Sequence, residues 1–308
     1  MTTLLFTHPA CLEHDPGRYH PERPERLQVV LDALGDGRFR AMERREAPRA
    51  ADHHLALCHP IPFVDGLLGA IPPAGRHQLD GDTAVSPGSG EAALRAAGAV
   101  VAAVDAVMAG EAATAFCAVR PPGHHAEPAQ AMGFCLFNNV AIGALHARAA
   151  HGLDRVAVID FDVHHGNGTQ SVFERNASLF YASTHQWPLY PGTGAAEEHG
   201  VGNIMNVPLP SGTDGPGYRR AFERLVLPAL ETFAPELILI SAGFDAHAQD
   251  PLAGLMLEDD DFAWVTSAIA EVARRHSKGR IVSALEGGYD LDALARSAAA
   301  HVGALMAA

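Results

Sequence analysis

An alternation restricts the fold of this chain more than any other feature. Short runs rich in Val, Ile, Leu and Phe are followed repeatedly by longer stretches rich in Ala and Leu. Apolar runs of that length, bounded by turn residues, read as strands buried on both faces, and the stretches between them carry helical spacing. Strands joined through helices pair in parallel, because a parallel neighbour needs a long crossover. The pattern predicts strands at Leu4–Thr7, Thr114–Val119, Val156–Asp160, Leu179–Ser183, Glu236–Ser241 and Arg280–Leu285. It predicts helices at Glu25–Leu34, Ser89–Ala109, Asn138–Ala150, Pro216–Thr232, Asp259–Arg275 and Asp292–Met306. The expected fold class is α/β, a single-domain three-layer α/β/α architecture with a mainly parallel central sheet. No linker rich in Ser, Gly or Pro divides the chain and no internal repeat is visible, so residues 1–308 are read as one domain. A hydrophobic content of 48% is enough to fill such a core.

The pieces rich in Pro and Gly, Pro72–Gly75, Arg120–Gly123, Pro188–Gly194 and Pro208–Gly217, are read as loops after strands or sheet-like runs. Open α/β sheets bind ligands outside the carboxyl ends of their strands. Four polar motifs fall at such ends: His124-His125, Asp162-Val163-His164, Phe244-Asp245 and Glu286-Gly287-Gly288-Tyr289. One converging pocket is therefore expected.

The residue types suggest what that pocket does. Asp160, Asp162 and His164 share parity, so on an extended chain their side chains start on one face. Asp162 and His164, joined by Asp245, would give a cation three protein ligands and an open position, the arrangement of a catalytic site. Mixed oxygen and nitrogen ligation suits Zn2+ and also Fe2+, Co2+ or Mn2+. His165 would point the other way. His124 and His125 offer an acid and a base on a stiff Pro-Pro-Gly turn. Asp160 could keep one imidazole protonated, and Asn167 could orient the other without adding charge. Tyr289, beside Gly287 and Gly288, could donate its phenol to an oxyanion. Metal-assisted amide hydrolysis is the reaction this set suggests.

Composition narrows the setting. A net charge of −14 argues against nucleic acid as a partner. The four cysteines are scattered without a paired motif, and the first residues lack a basic and then apolar leader pattern, so a cytoplasmic location is expected. The stretch Ala92 to Ala109 is interrupted by Arg95 and Asp105, so no membrane span is expected.

Seven segments together resemble the histone deacetylase family, within the arginase/deacetylase fold. They are HPERPER (His20–Arg26), RPPGHHA (Arg120–Ala126), GFCLFNN (Gly133–Asn139), DFDVHHGNGTQ (Asp160–Gln170), YPGTG (Tyr190–Gly194), GFDAHAQDPLAG (Gly243–Gly254) and LEGGYD (Leu285–Asp290). They run in family order over nearly the whole chain. The resemblance implies Asp162, His164 and Asp245 as ligands of one Zn2+, with Fe2+ an alternative. It implies His125 as general base and acid, His124 as its electrostatic partner held by Asp160, and Tyr289 polarising the scissile carbonyl. Gly133, Phe134 and Tyr190 would line a narrow acyl-lysine tunnel that also includes Gly287, with Asp82 and Leu252 at its rim. Structural K+ or Na+ ions are implied too. Asp160, Asp162, His164, Ser183 and Thr184 would hold an inner one; Phe173, Asn176, Leu179 and Tyr218 would hold an outer one.

Asn167 and the Asp245–Gly254 run resemble class II members and their bacterial relatives. Relatives selective for polyamines carry an acidic gatekeeper where Leu252 stands, which lowers the expectation of a polyamine substrate. Gly166 and His247 stand where arginases place Asp, so a two-metal reading is set aside. The expected substrate is an acetylated lysine or a small acylated amine. The alternatives are an acetylpolyamine amidohydrolase and, from another class, a non-catalytic acyl-lysine-binding protein. A homo-oligomer is left open.

Overall fold

The computed structural model describes residues 2–308. Ten strands are β1 (Thr3–Thr7), β2 (Glu43–Glu46), β3 (His77–Gln78), β4 (Ala84–Val85), β5 (Thr114–Cys117), β6 (Val156–Asp160), β7 (Leu179–Gln186), β8 (Ile204–Leu209), β9 (Leu237–Ala242) and β10 (Ile281–Leu285). Eight of them form one sheet in the order β2-β1-β5-β10-β9-β6-β7-β8, while β3 and β4 make a small antiparallel pair. Every neighbour in the large sheet runs parallel. Helices Ser89–Met108 and Asn139–His151 cover one face, and Pro24–Ala33, Asp259–His276 and Leu291–Ala307 cover the other. The chain therefore has the expected three-layer α/β/α fold. The central strands β6, β9 and β10 are buried along their whole length, as their unbroken apolar character requires.

Where sequence and structure differ, the reason is local. Strand β2 reads Glu-Arg-Arg-Glu and sits at the sheet margin, so it shows no apolar run. Strand β8 is the opposite margin and contains Asn206 and Pro208, which interrupt a strand pattern. Strand β7 runs on past Ser183 through Thr184, His185 and Gln186, polar residues that are nevertheless buried. The expected helix Pro216–Thr232 is two helices, Gly215–Ala221 and Leu227–Phe233, joined by a π-helical turn at Phe222–Val226. Pro228, at the start of the second, has no N–H to give the preceding turn, which accounts for the break. Pro72–Gly75 follows the helix Ile61–Gly69 and not a strand, and Pro208–Gly217 is a loop only in its middle. No helix among the described residues is long and apolar enough to cross a membrane.

The strand order sets up the site. The neighbours β5, β10, β9 and β6 deliver, from their carboxyl ends, the turns bearing His124-His125, Tyr289, Asp245 and Asp162-His164 respectively.

Candidate active site

Strand β6 ends at Asp160, and the next residues turn instead of continuing extended, so shared parity does not by itself bring Asp162 and His164 together. Local hydrogen bonds do. The Asp160 Oδ1 accepts from the Asp162 N–H at 3.1 Å, and the Asp162 Oδ1 accepts from the His164 N–H at 2.9 Å. The His164 Nδ1 then lies 3.1 Å from Asp162 Oδ1 and 3.1 Å from Asp245 Oδ2. The other oxygens of the two acids are fixed from behind. Asp162 Oδ2 accepts from the Gly287 N–H at 2.8 Å, and Asp245 Oδ1 accepts from the Val163 N–H at 2.8 Å. A Cβ at Gly243 would collide with the Asp162 carboxylate, and one at Gly287 with both acids. Backbone therefore closes on the acids only because these two residues lack side chains.

Two buried carboxyl groups sharing one imidazole fit a divalent cation in chemistry and in number. Electrostatics points the same way. Burial first, and then the neighbouring Asp162, push the Asp245 carboxyl up to about 7. A cation seated between the acids would relieve that repulsion.

The His pair has two environments. His124 Nδ1 lies 2.9 Å from Asp160 Oδ2, which also accepts from the Tyr181 hydroxyl at 2.9 Å. Burial disfavours the His124 cation, but Asp160 and Asp162 outweigh it and raise this imidazole to about 10. His125 Nδ1 lies 2.9 Å from Asn167 Oδ1. The amide nitrogen of Asn167 donates to Glu127 Oε1 at 2.7 Å, so its oxygen is the atom that faces His125. His125 must then carry its proton on Nδ1, leaving the Nε2 lone pair free. Burial, reinforced by the charges of His124 and His164, holds His125 well below the ordinary imidazole range. One imidazole is thus kept charged and its neighbour neutral. His165 turns away, as expected, to Thr193 at 2.8 Å and Gln170 at 2.9 Å.

These groups open onto a cavity of about 210 Å³ lined by Asp82, His125, Gly133, Phe134, His164, Leu189, Tyr190, Leu252 and Tyr289. Both Gly133 and Phe134 have positive φ, +56° and +68°. For phenylalanine that conformation costs on the order of 1–3 kcal/mol. The turn is held by the Gly133 N–H donating to Asp82 Oδ1 and the Phe134 N–H donating to Thr83 Oγ1, each at 3.1 Å. The Phe134 ring consequently stands as one wall, edge-on to Tyr289 at 5.9 Å, while Tyr190 meets His125 edge-on at 5.1 Å.

The residues expected around monovalent ions divide. Ser183 pairs in register with Asp160, and Thr184 Oγ1 lies 3.0 Å from the Tyr218 hydroxyl. The carbonyl oxygens of Phe173, Asn176 and Leu179 do converge, accepting from Asn203 Nδ2 at 2.9, 3.1 and 2.6 Å. The Tyr218 side chain instead joins the Thr184 group.

Several supporting residues have roles that motifs alone do not give. Glu286, fully buried, accepts from the N–H groups of Gly123 at 2.6 Å and His124 at 3.2 Å, and so holds the His-pair turn against β10. Leu189 and Tyr181 carry no distinguishing signal in sequence. Behind the site, Arg26 donates to the carbonyls of Gly288 at 2.5 Å and Glu286 at 2.6 Å, and its guanidinium lies 4.8 Å from the Tyr289 ring centroid. Glu22 accepts from Arg26 Nη1 at 3.1 Å and from Arg120 Nη2 at 2.6 Å, and all three are fully buried. In the sequence this ion cluster shows only as the density of charge in His20–Arg26.

Replacing Glu22 by Gln should destabilise the fold by about 3–5 kcal/mol in denaturant unfolding, because two guanidinium groups would lose their buried counter-charge. Burial opposes the Glu22 charge, but Arg120 and His14 hold its carboxyl well below 4.5. Its contribution is therefore complete above the unfolded value and lost as pH falls through the folded one. An acid-unfolding curve of the variant unchanged from wild type would contradict this.

A histone deacetylase domain family matches residues 20–305. The chain is 44% identical to the histone deacetylase-like amidohydrolase of Pseudomonas aeruginosa, over 87% of this chain and 71% of that protein. It is 37% identical to human polyamine deacetylase HDAC10, over 99% of this chain and 46% of that protein. The crystal structure of the HDA15 HD domain superposes with a TM-score of 0.94 at 34% identity, covering 99% of this chain and 88% of that one.

Proposed function

Because this chain belongs to the histone deacetylase family, we propose that it is a metal-dependent amidohydrolase, one catalytic domain that removes the acetyl group from an acetyl-lysine-type amide. The observation that carries the reading is the meeting of Asp162, His164 and Asp245 at the floor of a cavity that also receives His125 and Tyr289. A Zn2+ held by those three ligands would act as a Lewis acid and make a water acidic at neutral pH.

The side chains account for the remaining work. Phe134 and Tyr190 line the cavity with aromatic faces, which suits the apolar stem of an acylated amine. The neutral His125, with its free Nε2, takes the proton of the attacking water and returns it to the leaving amine. His124 stays charged, and its nearness favours return of that proton from His125. The Tyr289 hydroxyl donates to the carbonyl oxygen as negative charge builds there. The products are a free amine and acetate.

Replacing Tyr289 by Phe should lower kcat by roughly 10²–10³-fold, with KM changed far less, since the lost hydrogen bond forms in the transition state. A variant that keeps wild-type kcat on an acetyl-lysine peptide would remove Tyr289 from the mechanism.

Leu252, at the cavity mouth, supports a peptide substrate over a polyamine because it offers a distal ammonium no counter-charge. Competing an acetyl-lysine peptide against acetylputrescine should give the peptide the higher kcat/KM. Leu252→Glu should move the ratio toward the polyamine. The opposite preference in the unaltered chain would assign it to small-molecule deacylation. No hydrolysis of either substrate would leave a binding role.

A further inference from the structure

We propose that Asp105, His146 and His151 form a second cation site, for a late first-row divalent ion such as Zn2+, remote from the catalytic centre. Among the described residues, only two trios of His, Cys, Asp or Glu bring their ligand atoms within 4.8 Å of one another: Asp162, His164 and Asp245, and this one. Asp105 lies near the end of the helix Ser89–Met108, and the two histidines lie in the second half of Asn139–His151. Both helices finish just before strands, β5 and β6, so the trio lies at the amino ends of the sheet, opposite the cavity.

The Nε2 atoms of His146 and His151 each lie 2.7 Å from the same oxygen, Asp105 Oδ1. Their rings are nearly perpendicular, at 86°, with centroids 5.7 Å apart, so they approach one point from two directions. Without an ion, each Nε2 must carry a proton and both must share one carboxylate oxygen. With an ion, the same convergence presents two imidazole lone pairs and a carboxylate, a donor set suited to Zn2+, Ni2+ or Cu2+. Ligand atoms around tetrahedral zinc stand roughly 3–3.5 Å apart, so the trio must open by a few tenths of an ångström. Asp105, whose side chain is 51% exposed, has the freedom to do so.

The surroundings favour a cation over a simple ion pair. Among the described residues no Lys or Arg pairs with Asp105; its partners are the two imidazoles. His54 packs edge-on against His146 at 5.0 Å. The half-exposed carboxylate leaves a face open to water. The role that fits is a clamp between two helices on one face of the sheet.

The test is the Zn2+ stoichiometry of the stripped and reloaded full chain, compared with His146→Gln/His151→Gln and with Asp105→Asn. Wild type should bind one equivalent more than either variant, and hydrolysis of an acetyl-lysine peptide should be unchanged in both. Because the readout is a difference between variants, it stays valid whether or not the catalytic trio is loaded. Equal stoichiometry in wild type and a folded variant would overturn the proposal. Should the double variant fail to fold, Asp105→Asn, altered at a half-exposed oxygen, decides alone.

Discussion

Stripping the chain with a strong chelator should bring acetyl-lysine hydrolysis down to background, and adding Zn2+ should restore it. The size of the expected loss follows from what remains. Without a cation, Asp162, His164 and Asp245 satisfy one another through contacts of 3.1 Å, and the Tyr289 hydroxyl is left to polarise the amide alone. Catalytic ions of this kind supply both the electrophile and a water far more acidic than bulk water. Reloading should depend on pH. Burial opposes the His164 cation, but hydrogen bonds to Asp162 and Asp245 raise this imidazole to about 10 in the metal-free site. An incoming ion must displace that proton, so apparent Zn2+ affinity should fall as pH falls. Full turnover by a chain shown by elemental analysis to be metal-free would end this account.

Replacing His125 by Ala should cost roughly 10²–10⁴-fold in kcat, the range for removal of a general acid–base group, with metal content unchanged. The pH profile of kcat/KM should be bell-shaped. His125 must be neutral to accept a proton, and its pKa lies well below 6.5, chiefly through burial. The acid limb should therefore appear below the usual imidazole range, with activity lost as pH falls through the depressed value. Asn167→Asp offers a check on the cause: a carboxylate beside Nδ1 would stabilise the imidazolium and move the acid limb upward. An acid limb that stays put in this variant would show that another group controls it.

Much of this arrangement is legible in the letters of the chain. The buried strands β6, β9 and β10 announce themselves by unbroken apolar runs, and the helices that alternate with them force a parallel sheet. Asp162, His164, Asp245, His125 and Tyr289 are readable because they end or closely follow adjacent strands. The route to their meeting is less readable. Parity along a strand fails after Asp160, and hydrogen bonds from Asp160, Gly287 and Val163 do the orienting. Glu286 and Arg26 fall inside sequence motifs, but they act through distant backbone, across more than a hundred residues of sequence, so their roles are not readable there. Leu189 joins the cavity only through tertiary packing. The marginal strands β2 and β8 escaped because the first is wholly charged and the second is interrupted by Asn206 and Pro208.

Those two margins bear on how copies of the chain could associate. An open strand edge invites a further strand from a neighbouring molecule unless charge or a missing donor discourages it. On one side the rank of Glu43, Arg44, Arg45 and Glu46 would have to shed its hydration to be matched. On the other, Pro208 leaves a gap in the ladder that a newcomer would need. The sheet is therefore fenced at both borders, and any self-assembly would have to use helices or loops.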